Sequence, residues 1–387
     1  FNGTNSIHTY DFYWVNFNKA QVMINELIPK NLLDLINING SISISKYIEF
    51  CLYNSKNGYY QKKQSIGYDF TTAPEISQIF GECISIFFLF LLENFKNKST
   101  SNTFIELGPG NGTLAKDILR VLKLNKEIRE IELILIEKSN MLRNKQKYEL
   151  KNSIIKNKVT LKWLEKLNLK NTHKPIFFYC NEFFDSLPID QFYYSNRVLY
   201  EKRITVNNKN EMSFIGEKTN KKIADHYKQI KDGSIIEYSK YSDDILKKIL
   251  KYISSNDGVF LLFDYGPFIK GANDSIQCIF NKKRCNVLDF PTKADITHHI
   301  DFEYMKELAT DLNVNCYGPI RQRNFLINFG GYERLNSLIQ SSKEKQKHSL
   351  KLEFLRLINP SEMGELFKCI LFTSKNYKIP KKIFEDG

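Results

Sequence analysis

The residues most able to do chemistry are two glutamates at the ends of apolar runs, with a glycine turn between them. Phe104-Ile105-Glu106-Leu107 leads into Gly108-Pro109-Gly110-Asn111-Gly112, and Leu114 to Leu124 then has a helical pattern. Glycine in such a turn lets backbone N–H groups come close to a ligand, with no Cβ in the way. The N-terminus of the following helix carries a partial positive charge that favours an anionic group. An ordinary strand-to-helix turn can also use glycine, so the next acid decides more. Ile131-Glu-Leu-Ile-Leu-Ile-Glu137 reads as a second buried strand ending in a carboxylate, 29 residues after Gly108. In a βαβ unit that acid reaches a ribose diol. The dinucleotide spacing G-x-G-x-x-G is not met. Gly108-x-Gly110-x-Gly112 behind Glu106 instead suits S-adenosylmethionine. The turn would wrap its methionine end, Glu106 would meet its ammonium directly or through water, and Glu137 would take the ribose hydroxyls.

A second constellation is Asn181-Glu182-Phe183-Phe184-Asp185, which follows the apolar run Ile176 to Cys180. Methyl transfer from a sulfonium is an in-line displacement in which alignment and desolvation contribute most. Two carboxylates beside two aromatic rings could grip a guanidinium. Glu182 would hold it by paired charge-assisted hydrogen bonds, and Asp185 would help or accept a proton. Phe183 and Phe184 could exclude water and stack on the planar cation. The plainer reading makes both phenylalanines core residues and Asp185 the cap of a following helix. A third cluster, Asp295-Ile-Thr-His-His-Ile-Asp301, offers His299 as a base, while Asp295 or Asp301 serves equally as a helix cap.

These groups need a scaffold. Runs 103–107, 131–136, 158–162, 176–180 and 259–263 are short, apolar and separated by helical stretches, which implies a parallel sheet covered on both faces. Ligands bind beyond the carboxyl ends of such strands. Four of the five runs end in carboxylates or amides: Glu106, Glu137, Asn181 to Asp185, and Asp264-Tyr-Gly266. Pro74-Glu75 fits the first turn of a helix running to about Asn94. Gln191 to Ile215 alternates like a hairpin turning near Asn207-Asn208, and the rest of the section to Asp257 looks helical. A helix over 301–312 and strands near 324–329 and 368–373 would complete the sheet.

The implied organisation is an arm over 1–26 and an N-terminal helical segment over 27–100, packing above the cofactor site. A core over 101–190 and 258–375 follows, interrupted by a hairpin-plus-helix cap over 191–257, with a tail over 376–387. The first 26 residues are polar and aromatic without a clear period and begin at Phe1; they read as an arm, a processed end or a fragment.

Bulk composition narrows the classes. A hydrophobic share of 42% in 387 residues excludes wholesale disorder and permits a large core. The longest apolar run, Ile84 to Leu92, is interrupted by Ser85 and is far short of the roughly 20 residues of a membrane span. No basic head with an apolar stretch opens the chain, and no Arg- and Ser-rich presequence is evident. The net charge of +13 raises a nucleic-acid hypothesis. Lys, Asn and Ile abound together along the whole chain, however, so the charge reflects general composition, and a basic surface suits an acidic protein partner as well. Lys343 to Lys351 reads as a solvated helix face. The seven cysteines form no C-x-x-C pair and the six histidines fall at no ligand spacing with them, so free thiols and no metal site are expected.

Taken together, the motifs resemble the MidA-like S-adenosylmethionine-dependent methyltransferases, a family that includes mitochondrial complex I assembly factors methylating arginine. The resemblance runs from about Ile42 to Phe372. It rests on Gly58-Tyr-Tyr60, Asp69 to Gly81, Glu106 to Leu114, Ile136-Glu-Lys-Ser139, Asn181 to Asp185, Asp264-Tyr-Gly266, Asp295-Ile-Thr297 with His299, Gln322-x-x-Phe-Leu326 and Glu362 to Lys368. It implies a Rossmann-like class I methyltransferase of α/β type, with a seven-stranded, mostly parallel sheet, helices on both faces and an inserted α+β cap. It also implies a protein arginine acceptor, in mitochondrial members a core subunit of NADH:ubiquinone oxidoreductase. The location would be the mitochondrial matrix in a eukaryote and the cytoplasm in a bacterium. Finally, it gives Thr71, Pro74 and Glu75 a part in the cofactor site. The chain departs from the family at Tyr68 (usually Gly), Ala73 (Ser), Asn111 (a basic residue) and near Lys282 (a His), which bears on substrate contacts.

Overall fold

Five of the apolar runs do become adjacent strands. The structure, a computed structural model, describes residues 28–61, 71–94, 101–154, 158–170, 175–221 and 231–386. The expected arm over 1–26 and Tyr68 lie outside these residues. In chain order the strands are β1 (Ile42–Ser43), β2 (Ser101–Leu107), β3 (Glu130–Ile136), β4 (Val159–Leu164), β5 (Ile176–Asn181), β6 (Asp190–Ser195), β7 (Val198–Val206) and β8 (Met212–Lys218). They continue with β9 (Ile235–Tyr238), β10 (Gly258–Tyr265), β11 (Gln277–Phe280), β12 (Lys283–Arg284), β13 (Asp295–Thr297), β14 (Asn315–Arg321) and β15 (Phe367–Thr373). The helices are α1 (Lys30–Asn39), α2 (Ile44–Tyr53), α3 (Ala73–Ile76), α4 (Gln78–Asn94), α5 (Thr113–Leu122) and α6 (Asn140–Leu150). Then come α7 (Lys240–Asn256), α8 (Phe302–Asp311), α9 (Gln322–Asn328), α10 (Gly331–Ser341), α11 (Glu344–Ile358) and α12 (Met363–Leu366).

The chain divides into two units. The larger comprises Tyr60–Leu187, Lys240–Gly271 and Thr297–Gly387. Its seven strands lie in the order β14-β15-β10-β5-β2-β3-β4. The run from β10 to β4 is parallel, while β15 is antiparallel to both its neighbours. Every residue of β10 is buried, as are the first five of β5, because helices cover both faces. Alternation along β5 separates two cores. Phe177 and Tyr179 join Phe80, Phe88 and Leu119 from α4 and α5, while Phe178 and Cys180 join Leu246, Ile253 and Met305 from α7 and α8. The strand order reverses between β2 and β5, the point at which open sheets of this kind bind ligands.

The smaller unit draws on residues up to Tyr59 together with Pro188–Ser239 and Ala272–Ile296. It holds an antiparallel sheet ordered β1-β7-β6-β9, with β8 also paired to β7, and a small sheet β12-β11-β13. Two hairpins replace the single one expected over 191–215. The first turns at Asn196-Arg197, both with positive φ (50° and 63°), and the second turns between β7 and β8. Positive φ at both central residues is the type I′ form of a two-residue hairpin loop, and Asn is among the residues that tolerate the left-handed region.

Three further expectations are corrected. Residues 322–328 form helix α9, and the adjoining strand is β14; Gly318-Pro319 interrupts β14 and shifts its register between Tyr317 and Ile320, hiding the strand pattern. Helix α7 belongs to the larger unit, where Tyr252 packs edge-on against Phe178, so 191–257 is not one insertion. The 27–100 segment is likewise divided at Tyr59. In the tail, Phe384 is buried and Asp386 pairs with Arg321. Among the described residues no helix is long and apolar enough to cross a membrane.

Candidate functional site

At the switch point β2 delivers Glu106 and then the glycine turn. Gly108, Gly110 and Gly112 all have positive φ (62°, 53° and 84°). At Gly108 a Cβ would stand 2.6 Å from Cδ2 of Phe183. Its N–H donates to the carbonyl of Ile136 at 3.1 Å, tying the turn to the end of β3. The start of α5 is clamped from the other side. Thr113 Oγ1 and Asn111 Nδ2 donate to Glu75 Oε1 at 2.6 and 3.2 Å. Pro74 is buried in the first turn of α3, and Thr71 is half-buried just ahead of it. Glu75 therefore shapes the turn rather than facing open solvent.

Glu106 is 2% exposed and accepts a hydrogen bond from the Tyr179 hydroxyl at 3.0 Å. Burial pushes its carboxyl up to about 8, against the lowering effect of that hydrogen bond. Glu137, just past the end of β3, accepts from the Ser139 N–H at 2.8 Å and from Gln146 Nε2 at 3.4 Å. Burial raises it to about 7, opposed chiefly by the Ser139 N–H. Gln146 was not singled out from the sequence. Its amide also donates to the Gly110 carbonyl at 2.8 Å, and its own oxygen is held by Trp163 Nε1 at 3.0 Å. It links turn and second acid, and a lone glutamine on α6 gives no spacing signal of that role.

Across the crevice β5 ends at Asn181. Glu182 then adopts the left-handed conformation (φ 49°), with its N–H bonded to the Phe263 carbonyl at 2.9 Å. Asn181 Nδ2 donates to Glu182 Oε1 at 2.9 Å. Because a carboxylate accepts only, this bond fixes the orientation of the amide and leaves Asn181 Oδ1 buried without a partner among the described residues. Phe183 is half-buried against Gly108, while Phe184 is fully buried and meets it edge-on at 5.4 Å. Asp185 is buried and its carbonyl accepts from the His298 N–H at 3.0 Å. It caps no helix, since β6 follows.

The Asp295–Asp301 cluster is split. Asp295 falls in the smaller unit, whereas Asp301 caps α8 by accepting from the Tyr304 N–H at 3.0 Å. His299 is half-buried and its ring meets that of Tyr265 edge-on at 5.4 Å. Neighbouring His298 is buried, with Nε2 3.0 Å from the Leu187 carbonyl oxygen. His299 thus stands by the end of β10. No group of three or more potential metal ligands occurs among the described residues.

Buried acids on successive strand ends and a turn that a Cβ would obstruct together fit S-adenosyl-L-methionine. They define a class I methyltransferase. The family model for S-adenosyl-L-methionine-dependent methyltransferases matches residues 83–320, and the chain belongs to that family. The protein arginine methyltransferase NDUFAF7 of Danio rerio is 30% identical, over 92% of this chain and 89% of its own length. The human counterpart is 30% identical over 87% of this chain and 81% of its own. Both relatives are named mitochondrial. The fold is shared with a COG1565 superfamily protein of Burkholderia thailandensis crystallised with S-adenosyl-homocysteine. Its TM-score is 0.78 at 22% identity, covering 95% of this chain and 96% of that one.

Proposed function

We propose that this methyltransferase modifies an arginine of a protein partner, with Asn181, Glu182 and Asp185 forming the acceptor side of the site. The observation that carries the reading is the Asn181–Glu182 pair. An acid held by a neighbouring amide, beside a buried free amide oxygen, offers acceptors only, which is what a planar cation with several N–H donors requires. The named arginine methyltransferases among the relatives support the same acceptor.

S-adenosyl-L-methionine supplies a methyl group carried on a positively charged sulfur. Glu182 would orient the guanidinium by charge-assisted hydrogen bonds and keep its nitrogen aligned. Phe183, already braced on Gly108, would cover one face of the planar group and exclude water. Asp185 would take the proton released as the new N–C bond forms, and His299 would be the alternative acceptor for it. Glu106, Gly108, Gly110, Gly112 and Glu137 would hold the donor, with Thr71, Pro74 and Glu75 keeping the turn in shape. The resemblance to complex I assembly factors extends the proposal to a subunit of that complex as partner and to the mitochondrial matrix as location.

The test is to incubate the full chain with methyl-labelled donor and mitochondrial protein extract, then identify the labelled residue by mass spectrometry. Methylarginine supports the reading. Label confined to RNA or small molecules would overturn it.

A further inference from the structure

Asp264 is the penultimate residue of β10 and is fully buried. Its Oδ2 accepts the N–H groups of Phe184 (3.0 Å) and Asp185 (3.3 Å), and its Oδ1 accepts the N–H of Tyr265 (2.9 Å). Among the described residues no cation pairs with it. Lys368, opposite it on β15, spends its ammonium on the carbonyls of Glu365 and Leu366. A carboxyl placed there must be desolvated with only backbone donors to compensate, and burial does push it up to about 7. A fully apolar residue would finish the strand at less cost, so the fold gains something from the acid.

What it gains lies on the neighbouring strand end. Glu182 occupies a backbone region that L-residues with a Cβ avoid. Such a conformation persists only where its surroundings hold it from both sides. On one side the Glu182 N–H is fixed by the Phe263 carbonyl. On the other, Phe184 and Asp185 are fixed by the Asp264 carboxyl. Both anchors come from consecutive residues of β10, which is in parallel register with β5.

We propose that Asp264 is a positioning residue for methyl transfer: by clamping the Phe184–Asp185 backbone it holds Glu182 in the left-handed conformation that presents its carboxylate to the acceptor. This rests on the acceptor role of Glu182 given above. It predicts a loss of turnover with the donor site intact, because Glu106, the glycine turn and Glu137 bond to other partners.

Asp264→Asn offers one acceptor oxygen to three N–H groups and turns an NH2 towards whichever it leaves. The full-length variant would be compared with wild type and Glu182→Gln in three measurements. These are S-adenosylhomocysteine affinity by calorimetry, amide hydrogen exchange at Phe184 and Asp185, and kcat for label transfer to mitochondrial extract. The expected result is affinity within about threefold, exchange at the two amides at least tenfold faster with β5 unchanged, and kcat reduced at least tenfold. Unchanged exchange, near wild-type kcat, or affinity lost in parallel with kcat would each overturn the proposal. Full turnover in Glu182→Gln would instead sink the acceptor assignment, and the exchange data would still judge the clamp. If Asp264→Asn does not fold, wild-type exchange decides: Phe184 and Asp185 amides exchanging at free-peptide rates overturn it.

Discussion

Glu106 and Glu182 stand on either side of the same crevice, one within the last residues of β2 and the other just past β5, yet they are built in opposite ways. Glu106 continues a regular strand, is almost sealed from solvent and is satisfied by a neutral phenol. Glu182 breaks the strand geometry, keeps contact with solvent and is braced by an amide and by backbone anchors. The first arrangement makes ionisation costly until a cation arrives. The second spends conformational strain on direction. Binding of the donor and presentation of the acceptor therefore draw on different physics, and substitutions should separate them.

The sharpest separation comes from Glu182→Gln. It keeps the shape and removes the charge, so the loss of charge-assisted hydrogen bonds worth about 1.5–3 kcal/mol should lower turnover by about 10–10²-fold, while S-adenosylhomocysteine affinity measured by calorimetry stays within about twofold. Near-normal turnover would erase the distinction between the two corners. Gly108→Ala should damage both at once. The new Cβ meets the Phe183 ring at 2.6 Å and the residue would sit at φ 62°, a combined penalty of about 2–4 kcal/mol. Thermal denaturation should show it, and unchanged stability would mean that Phe183 does not rest on the turn. Glu137→Ala should act on the donor side alone, weakening cofactor binding by about 1.5–3 kcal/mol. Calorimetry reads the loss, and intact affinity would remove the ribose assignment.

Legibility from sequence followed burial. Strands β2, β3, β5 and β10 were readable because they carry short apolar runs, with β5 and β10 buried along almost their whole length and β3 alternating buried and half-buried positions, and the site acids were readable because they stand at the ends of those runs. Strand β14 was not, since Gly318 and Pro319 sit inside a half-buried edge strand. The smaller unit was also hidden. Its two-residue β1 pairs with Ile204 and Arg203 far along the chain, and no local pattern encodes such a pairing. Helix α7 carries an amphipathic pattern that fits a cap or a core equally well; only its contact with Phe178 decides. Gln146 had no motif of its own, and Asp264 was legible as a strand-end acid within Asp264-Tyr-Gly266 but not as a backbone clamp. Their roles depend on hydrogen bonds to backbone atoms of other segments, which side-chain identity does not specify.

Glu106 gives the smallest effect and the most direct view of the donor side. Its carboxyl stands at about 8 in the folded chain against an ordinary 4.5. The folded state therefore binds the proton more tightly than the unfolded one. The associated stability is complete below about 4.5 and is lost as pH rises towards 8, where the buried group must ionise. Glu137, at about 7, acts in the same direction over a narrower window. Without ligand, Glu106→Gln should flatten the fall in Tm between pH 5 and 8 by about 2 °C or more. A ligand ammonium reaching Glu106 would favour the ionised form, so S-adenosylhomocysteine binding at pH 7 should release up to about one proton. Calorimetry in buffers of different ionisation enthalpy measures that release. Its persistence in Glu106→Gln would show that the ligand's cation is met elsewhere, and the contrast between the two strand ends would then rest on Glu182 alone.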